Sequence, residues 1–115
     1  MQERRMFQRF YTEFPIEFCT MDDKKIEGKG KILNISAAGG GMIVTAKYLL
    51  PHTPLRMTLF IPDGNPPLEA EAKVVWLKAM EPTLFLAGVQ FEKVDFMGIA
   101  RALRLRANRP DNNED

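Results

Sequence analysis

Apolar and polar residues alternate with a period of two along much of this chain, and proline and glycine punctuate the pattern. Residues 12–20 place Ile16 and Phe18 on either side of Glu17, just after Pro15, which predicts a half-buried strand. Met21-Asp22-Asp23-Lys24-Lys25 is a polar hairpin connection, with the two aspartates in a solvated turn. Residues 26–35 form the return strand, in which Gly28 and Gly30 suggest a bulge or strong coiling. A tight turn follows in Asn34-Ile35-Ser36-Ala37-Ala38-Gly39. Asn and Ser side chains bond backbone groups a few residues on, and Gly39, Gly40 and Gly41 supply a positive φ or a bulge.

The β-branched run at residues 41–45 predicts the hairpin partner, and Leu50-Pro51-His52-Thr53-Pro54 breaks it with His52 in a loop. Leu55, Met57, Leu59 and Ile61 then alternate with Arg56, Thr58 and Phe60 until Pro62-Asp63-Gly64-Asn65-Pro66-Pro67 stops the strand. Residues 68–77 set Leu68, Ala70, Ala72, Val74 and Trp76 on one face and Glu69, Glu71 and Lys73 on the other. Residues 83–91 add a last strand. Asp95 caps a helix whose apolar stripe is Phe96, Ile99, Ala100 and Leu103, with Arg101, Arg104 and Arg106 on its solvated side. Short antiparallel strands followed by one amphipathic helix predict a mainly β fold, a six-stranded antiparallel β-barrel with the helix packed against it.

A chain of 115 residues, 45% hydrophobic, suits one domain that buries its core without staples. Its seven methionines read as core filler. The formal charge of +1 disfavours general polyanion binding, so nucleic acid is not an expected partner. Cys19, the single cysteine, reads as partly buried, excludes an internal disulfide and makes a reducing, cytoplasmic setting the default. Neither a membrane span nor a secretory signal is read, so a soluble protein is expected. One histidine and one cysteine, without a phosphate-cradling loop or metal-ligand spacing, leave no matched nucleophile and base. An enzyme is not expected.

The basic start of the chain gives the glycine turn a partner. Arg5 and Arg9 form Arg-x-x-x-Arg, preceded by Arg4. The segment fits either a helix with both arginines on one face or an extended arm. Alone it is a solvated basic tail, and alone Asn34-x-Ser36-x-x-Gly39 is a turn that satisfies its own backbone. In this order and spacing, at the head of a small β domain, the two resemble the paired motif of PilZ domains, Arg-x-x-x-Arg followed by Asp/Asn-x-Ser-x-x-Gly. Val74-Val75-Trp76, Gly88-Val89-Gln90-Phe91 and Pro15 also fit that family, so the resemblance covers nearly the whole chain.

The resemblance implies a receptor for the bacterial second messenger cyclic di-GMP, with Arg4, Arg5, Arg9, Asn34, Ser36, Gly39 and Trp76 as ligand-binding residues and no further cofactor. The residue types suit that dianion with its two guanines. An arginine fork grips phosphate oxygens or the O6 and N7 edge of guanine, and its plane stacks on purines. Arg4, just before the first motif arginine, is consistent with binding a stacked ligand pair. Asn34 and Ser36, two apart, are expected on one face at the strand end. Trp76 reads either as core or, if its face is exposed beside the turn, as a stacking platform. The expected organisation is a flexible ligand-binding arm at 1–12, a barrel at 13–94, the helix at 95–107 and a disordered tail at 108–115. The arm would order over the ligand and relay occupancy to an effector protein, in motility, secretion, polysaccharide or transcription, from a monomer or homodimer. The alternative is an adaptor of the same fold with little or no nucleotide binding.

Overall fold

Six strands close into one antiparallel barrel in the computed structural model, which describes residues 10–107. In chain order they are β1 (Phe10–Thr20), β2 (Glu27–Ile35), β3 (Gly39–Ala46), β4 (Pro54–Leu59), β5 (Leu68–Glu81) and β6 (Leu84–Val94), followed by helix α1 (Phe96–Ala107). The spatial order is β1-β2-β3-β6-β5-β4, and β4 pairs back with β1. Closure leaves no free sheet edge among the described residues. The strand alternation read from the sequence holds through most of the barrel. Ile16, Ile32, Ile35, Met42, Val44, Leu55, Met57, Leu59 and Val74 point inward and are almost wholly removed from water. Truncating one of the larger of these to alanine costs about 2–5 kcal/mol.

Several sequence readings are corrected by the register. β1 starts at Phe10, inside the segment read as an arm, and β5 and β6 both run further than expected. Gly28 and Gly30 lie in regular pairing with Ala46 and Val44; the β2 irregularity falls instead between Ile32 and Asn34. Met42 and Met57 fill the core, but Met21, Met80 and Met97 are exposed. The arginine arm with Arg4, Arg5 and Arg9, and the tail expected at 108–115, lie outside the described residues.

The helix is capped as expected, with the Met97 N–H donating to the Asp95 carboxylate at 3.0 Å. Its buried side, however, carries Gly98, Ile99 and Ala102, while Phe96 is 70% exposed. Gly98 seats the helix against Leu68, where a Cβ would collide with the leucine side chain. Arg101 is not a solvated residue. Its guanidinium donates two 2.8 Å bonds to the Asp63 carboxylate and one of 2.9 Å to the Pro66 carbonyl, tying α1 to the β4–β5 loop. The fork geometry is one lysine cannot reproduce.

This staple carries a pH dependence. The hydrogen bonds from Arg101 hold the Asp63 carboxyl well below its ordinary value of 3.8. A carboxyl depressed in the folded state contributes stability above its unfolded value, and loses it as pH falls through the folded value. Arg101→Met is therefore expected to lower the melting temperature by a few degrees at neutral pH. The gap from wild type should narrow as the pH is taken below about 4. Melting curves at pH 7 and pH 3 check this, and a gap that stays constant across them would contradict it.

Candidate functional site

The β2–β3 turn is built by its own side chains. The Ser36 N–H donates to the Gly39 carbonyl at 2.8 Å, and the Ser36 hydroxyl accepts from the Ala38 N–H at 3.2 Å. Ser36 is buried, and its hydroxyl also donates to the Gly39 carbonyl at 3.4 Å. β6 clamps the turn from the other side through a 2.8 Å bond from the Phe91 N–H to the Ala38 carbonyl. Gly39 to Gly41 belong to β3 and do not adopt a positive φ. Gly39 is needed for close approach instead, because a Cβ there would collide with the Val89 carbonyl oxygen.

Strand bulges aim the other side chains. Ile32 pairs with Met42 and Asn34 with Gly41, so Leu33 is extra and Asn34 turns to the outer face. On the opposite flank Val74 pairs with Val89 and Trp76 with Gly88, so Val75 is extra and Trp76 turns outward too. This overturns the placement of Trp76 on the face of Leu68, Ala70, Ala72 and Val74; the indole is 44% exposed. Unbroken alternation had put it in the core.

The two bulges bring Asn34 and Trp76 into one outward row. Read across the strands, that row is Tyr11, Asn34, Gly41, Gly88 and Trp76. Three strand spacings separate Asn34 from Trp76, about 14 Å. Both side chains lie down over the glycines between them. The Asn34 amide nitrogen is 3.0 Å from where a Cβ on Gly41 would stand, and a Cβ on Gly88 would collide with the Trp76 indole. The Asn34 amide oxygen accepts from the Gly41 N–H at 3.1 Å, which fixes the side chain across the strand. Tyr11, 71% exposed, stands next to Asn34 at the end of the row.

Of the seven expected site residues, then, the fold brings Asn34 and Trp76 together on one surface. Ser36 and Gly39 form the turn beside it, and Arg4, Arg5 and Arg9 lie outside the described residues. Sequence reasoning missed Tyr11 as a member of the row and Gly41 and Gly88 as its floor. A glycine inside a strand was the available signal for close approach, but only the register shows that two of them are neighbours. The surface is no deep cavity. Two shallow furrows, about 750 and 790 Å³, lie elsewhere, on the outer face of β4, β1, β2 and β3. Their walls alternate in charge, as at Glu17 and Lys29, and they hold none of the row. No group of three or more metal-ligating side chains forms among the described residues.

Closure of six antiparallel strands with a helix packed at one end defines a small closed-barrel class, and comparison with known proteins makes the family definite. The PilZ domain family matches residues 3–105, and the chain belongs to it. Solved structures that share the fold include the following two. One is the Bacillus subtilis inhibitor of motility (MotI/DgrA), with a TM-score of 0.72 and 16% identity over 98% of this chain and 54% of that one. The chain thus spans about half the length of that protein. The other is the PilZ domain of YcgR from Escherichia coli, with c-di-GMP, at a TM-score of 0.66 and 12% identity over 91% of this chain and 90% of that one. No curated protein matches.

Proposed function

We propose that this chain is a cyclic di-GMP receptor, not an enzyme, in which the Arg-x-x-x-Arg segment closes a binding surface presented by the barrel. The observation that carries the reading is the row in which two strand bulges turn Asn34 and Trp76 to the same outer face over Gly41 and Gly88. A flat exposed indole suits a guanine face, and a primary amide suits a guanine edge or phosphate. Phe10 pairs with Ile35, so the segment carrying Arg5 and Arg9 is tethered by the chain beside Asn34. Family membership and the likeness to a c-di-GMP complex support the same ligand.

Ser36 and Gly39 act in this reading by holding the turn that positions Asn34, since the Ser36 hydroxyl is engaged with the turn backbone. Arg5 and Arg9 supply charge-assisted forks to phosphate and guanine, with Arg4 beside them. Ordering of the arm over the ligand costs on the order of 2 to 5 kcal/mol of the gross contact energy and converts occupancy into a shape an effector protein can read.

Calorimetric titration with cyclic di-GMP, with GTP and cyclic AMP as controls, tests the proposal. Wild type is expected to bind cyclic di-GMP selectively, Arg5→Ala and Ser36→Ala to lose most of the affinity, and the stoichiometry to separate one ligand from a stacked pair. A truncation lacking residues 1–9 should keep the barrel's melting transition and lose the ligand. Undiminished affinity in that truncation, or no binding by folded wild type, would refute the receptor reading.

A further inference from the structure

One outward row further toward the turn, Gly39 of β3 pairs with Gln90 of β6, and Gln90 pairs with Lys73 of β5. The four outward positions that β3 and β6 contribute to these two rows are Gly41, Gly88, Gly39 and Gln90. Three are glycines, so Gln90 is the one that projects a side chain, and it is exposed. Lys73 stands beside it, part-exposed, with its partner on the far side being Pro54, which offers it no charge. On the opposite side of the Asn34–Trp76 row β3 and β6 contribute only apolar positions, Ile43 and Leu86, flanked by Lys31 of β2, 3.8 Å from Glu13, and Lys78 of β5. Over β3 and β6, the floor between Asn34 and Trp76, a hydrogen-bonding side chain is therefore offered on one side only, the side next to the turn, by Gln90.

We infer that Gln90 and Lys73 form the polar wall of the ligand surface, Gln90 bonding the edge of a purine stacked at Trp76 and Lys73 neutralising a phosphate of the same dinucleotide. This rests on the receptor reading above and extends it to two residues outside its motifs. The chemistry is direct. A carboxamide offers an N–H to guanine O6 and a carbonyl to guanine N1–H, a paired contact that an apolar side chain of the same size cannot make. An ammonium is a point charge that needs no fixed angle to serve a phosphate. The clamp on the turn keeps this wall in register, because the Phe91 N–H that follows Gln90 bonds the Ala38 carbonyl.

The test is titration of the full chain and its Gln90→Leu and Lys73→Met variants with cyclic di-GMP at several salt concentrations, with Trp76→Ala as a marker of the site. Both positions are on the surface, so the variants are expected to melt with wild type. Gln90→Leu should bind about 10-fold more weakly. Lys73→Met should weaken binding and make it less dependent on salt, because one screened charge pair is lost. If wild type binds and Trp76→Ala binds more weakly, yet Gln90→Leu stays within about twofold and Lys73→Met keeps the salt dependence of wild type, the wall is wrong and the receptor reading stands. If wild type does not bind, both fall together.

Discussion

Trp76→Ala is expected to lower affinity for cyclic di-GMP by roughly 5- to 150-fold, the range set by about 1–3 kcal/mol per base stacked on an aromatic side chain. Its melting temperature should hardly move. The two halves of that expectation come from the same observation. A tryptophan in the core would cost about 3–5 kcal/mol of stability on truncation, but the Val75 bulge has turned this one out, and it remains 44% exposed. Gly88→Val gives an independent route to the same loss, since its side chain would occupy the space of the indole. That variant keeps Trp76 but displaces it. Titration beside a thermal melt checks both, and a Trp76→Ala protein that unfolds easily yet binds normally when folded would return the residue to a structural role.

Most of the barrel was legible because its core is written in period two. Leu55, Met57 and Leu59 alternate with Arg56 and Thr58 without a break, and β4 is buried and exposed in the same rhythm. Where a bulge intervenes the rhythm misleads, because one extra residue reverses the face of everything after it. Trp76 is the clear case. Nothing in Val74-Val75-Trp76 announces an insertion; the reversal follows from the opposing strand, where Val89 and Gly88 take Val74 and Trp76 and leave Val75 out.

Asn34 shows the converse. Its place in the motif was legible, but its outward aim depends on the extra residue Leu33. Ser36, expected to share its face, is buried and bonds the backbone of the turn it closes. Arg101 was read as a solvated cation because a helix pattern carries no information about a loop 38 residues earlier in sequence, yet Asp63 takes both arms of its guanidinium. Short-range patterns reveal strands and caps. Pairings between distant segments, on which both the site row and the staple depend, are set by the closed topology.

That topology also predicts which glycine the barrel can least do without. Gly30→Ala is expected to destabilise the protein by about 1–3 kcal/mol, the usual cost of forcing extra volume into a packed site. A Cβ at this position would collide with the Ile43 carbonyl oxygen and stand 2.7 Å from the Val44 Cα. These are backbone atoms of the neighbouring strand, so no rotamer change relieves the contact. β2 and β3 would have to part, weakening the ladder that pairs Lys29 with Thr45 and Lys31 with Ile43. The reduced entropy of the unfolded chain returns only about 0.4–1 kcal/mol. Gly64→Ala makes the contrast. There φ is +80° and nothing lies within 4 Å, so the penalty is backbone strain alone, about 1–2 kcal/mol. Because Gly64 sits in the β4–β5 loop, its variant should leave ligand affinity unchanged. Parting β2 from β3 would disturb the Asn34–Gly41 bond, so Gly30→Ala should weaken binding as well as folding. Urea denaturation paired with titration separates the two, and a Gly30→Ala protein as stable and as avid as wild type would mean that the strands do not approach as described.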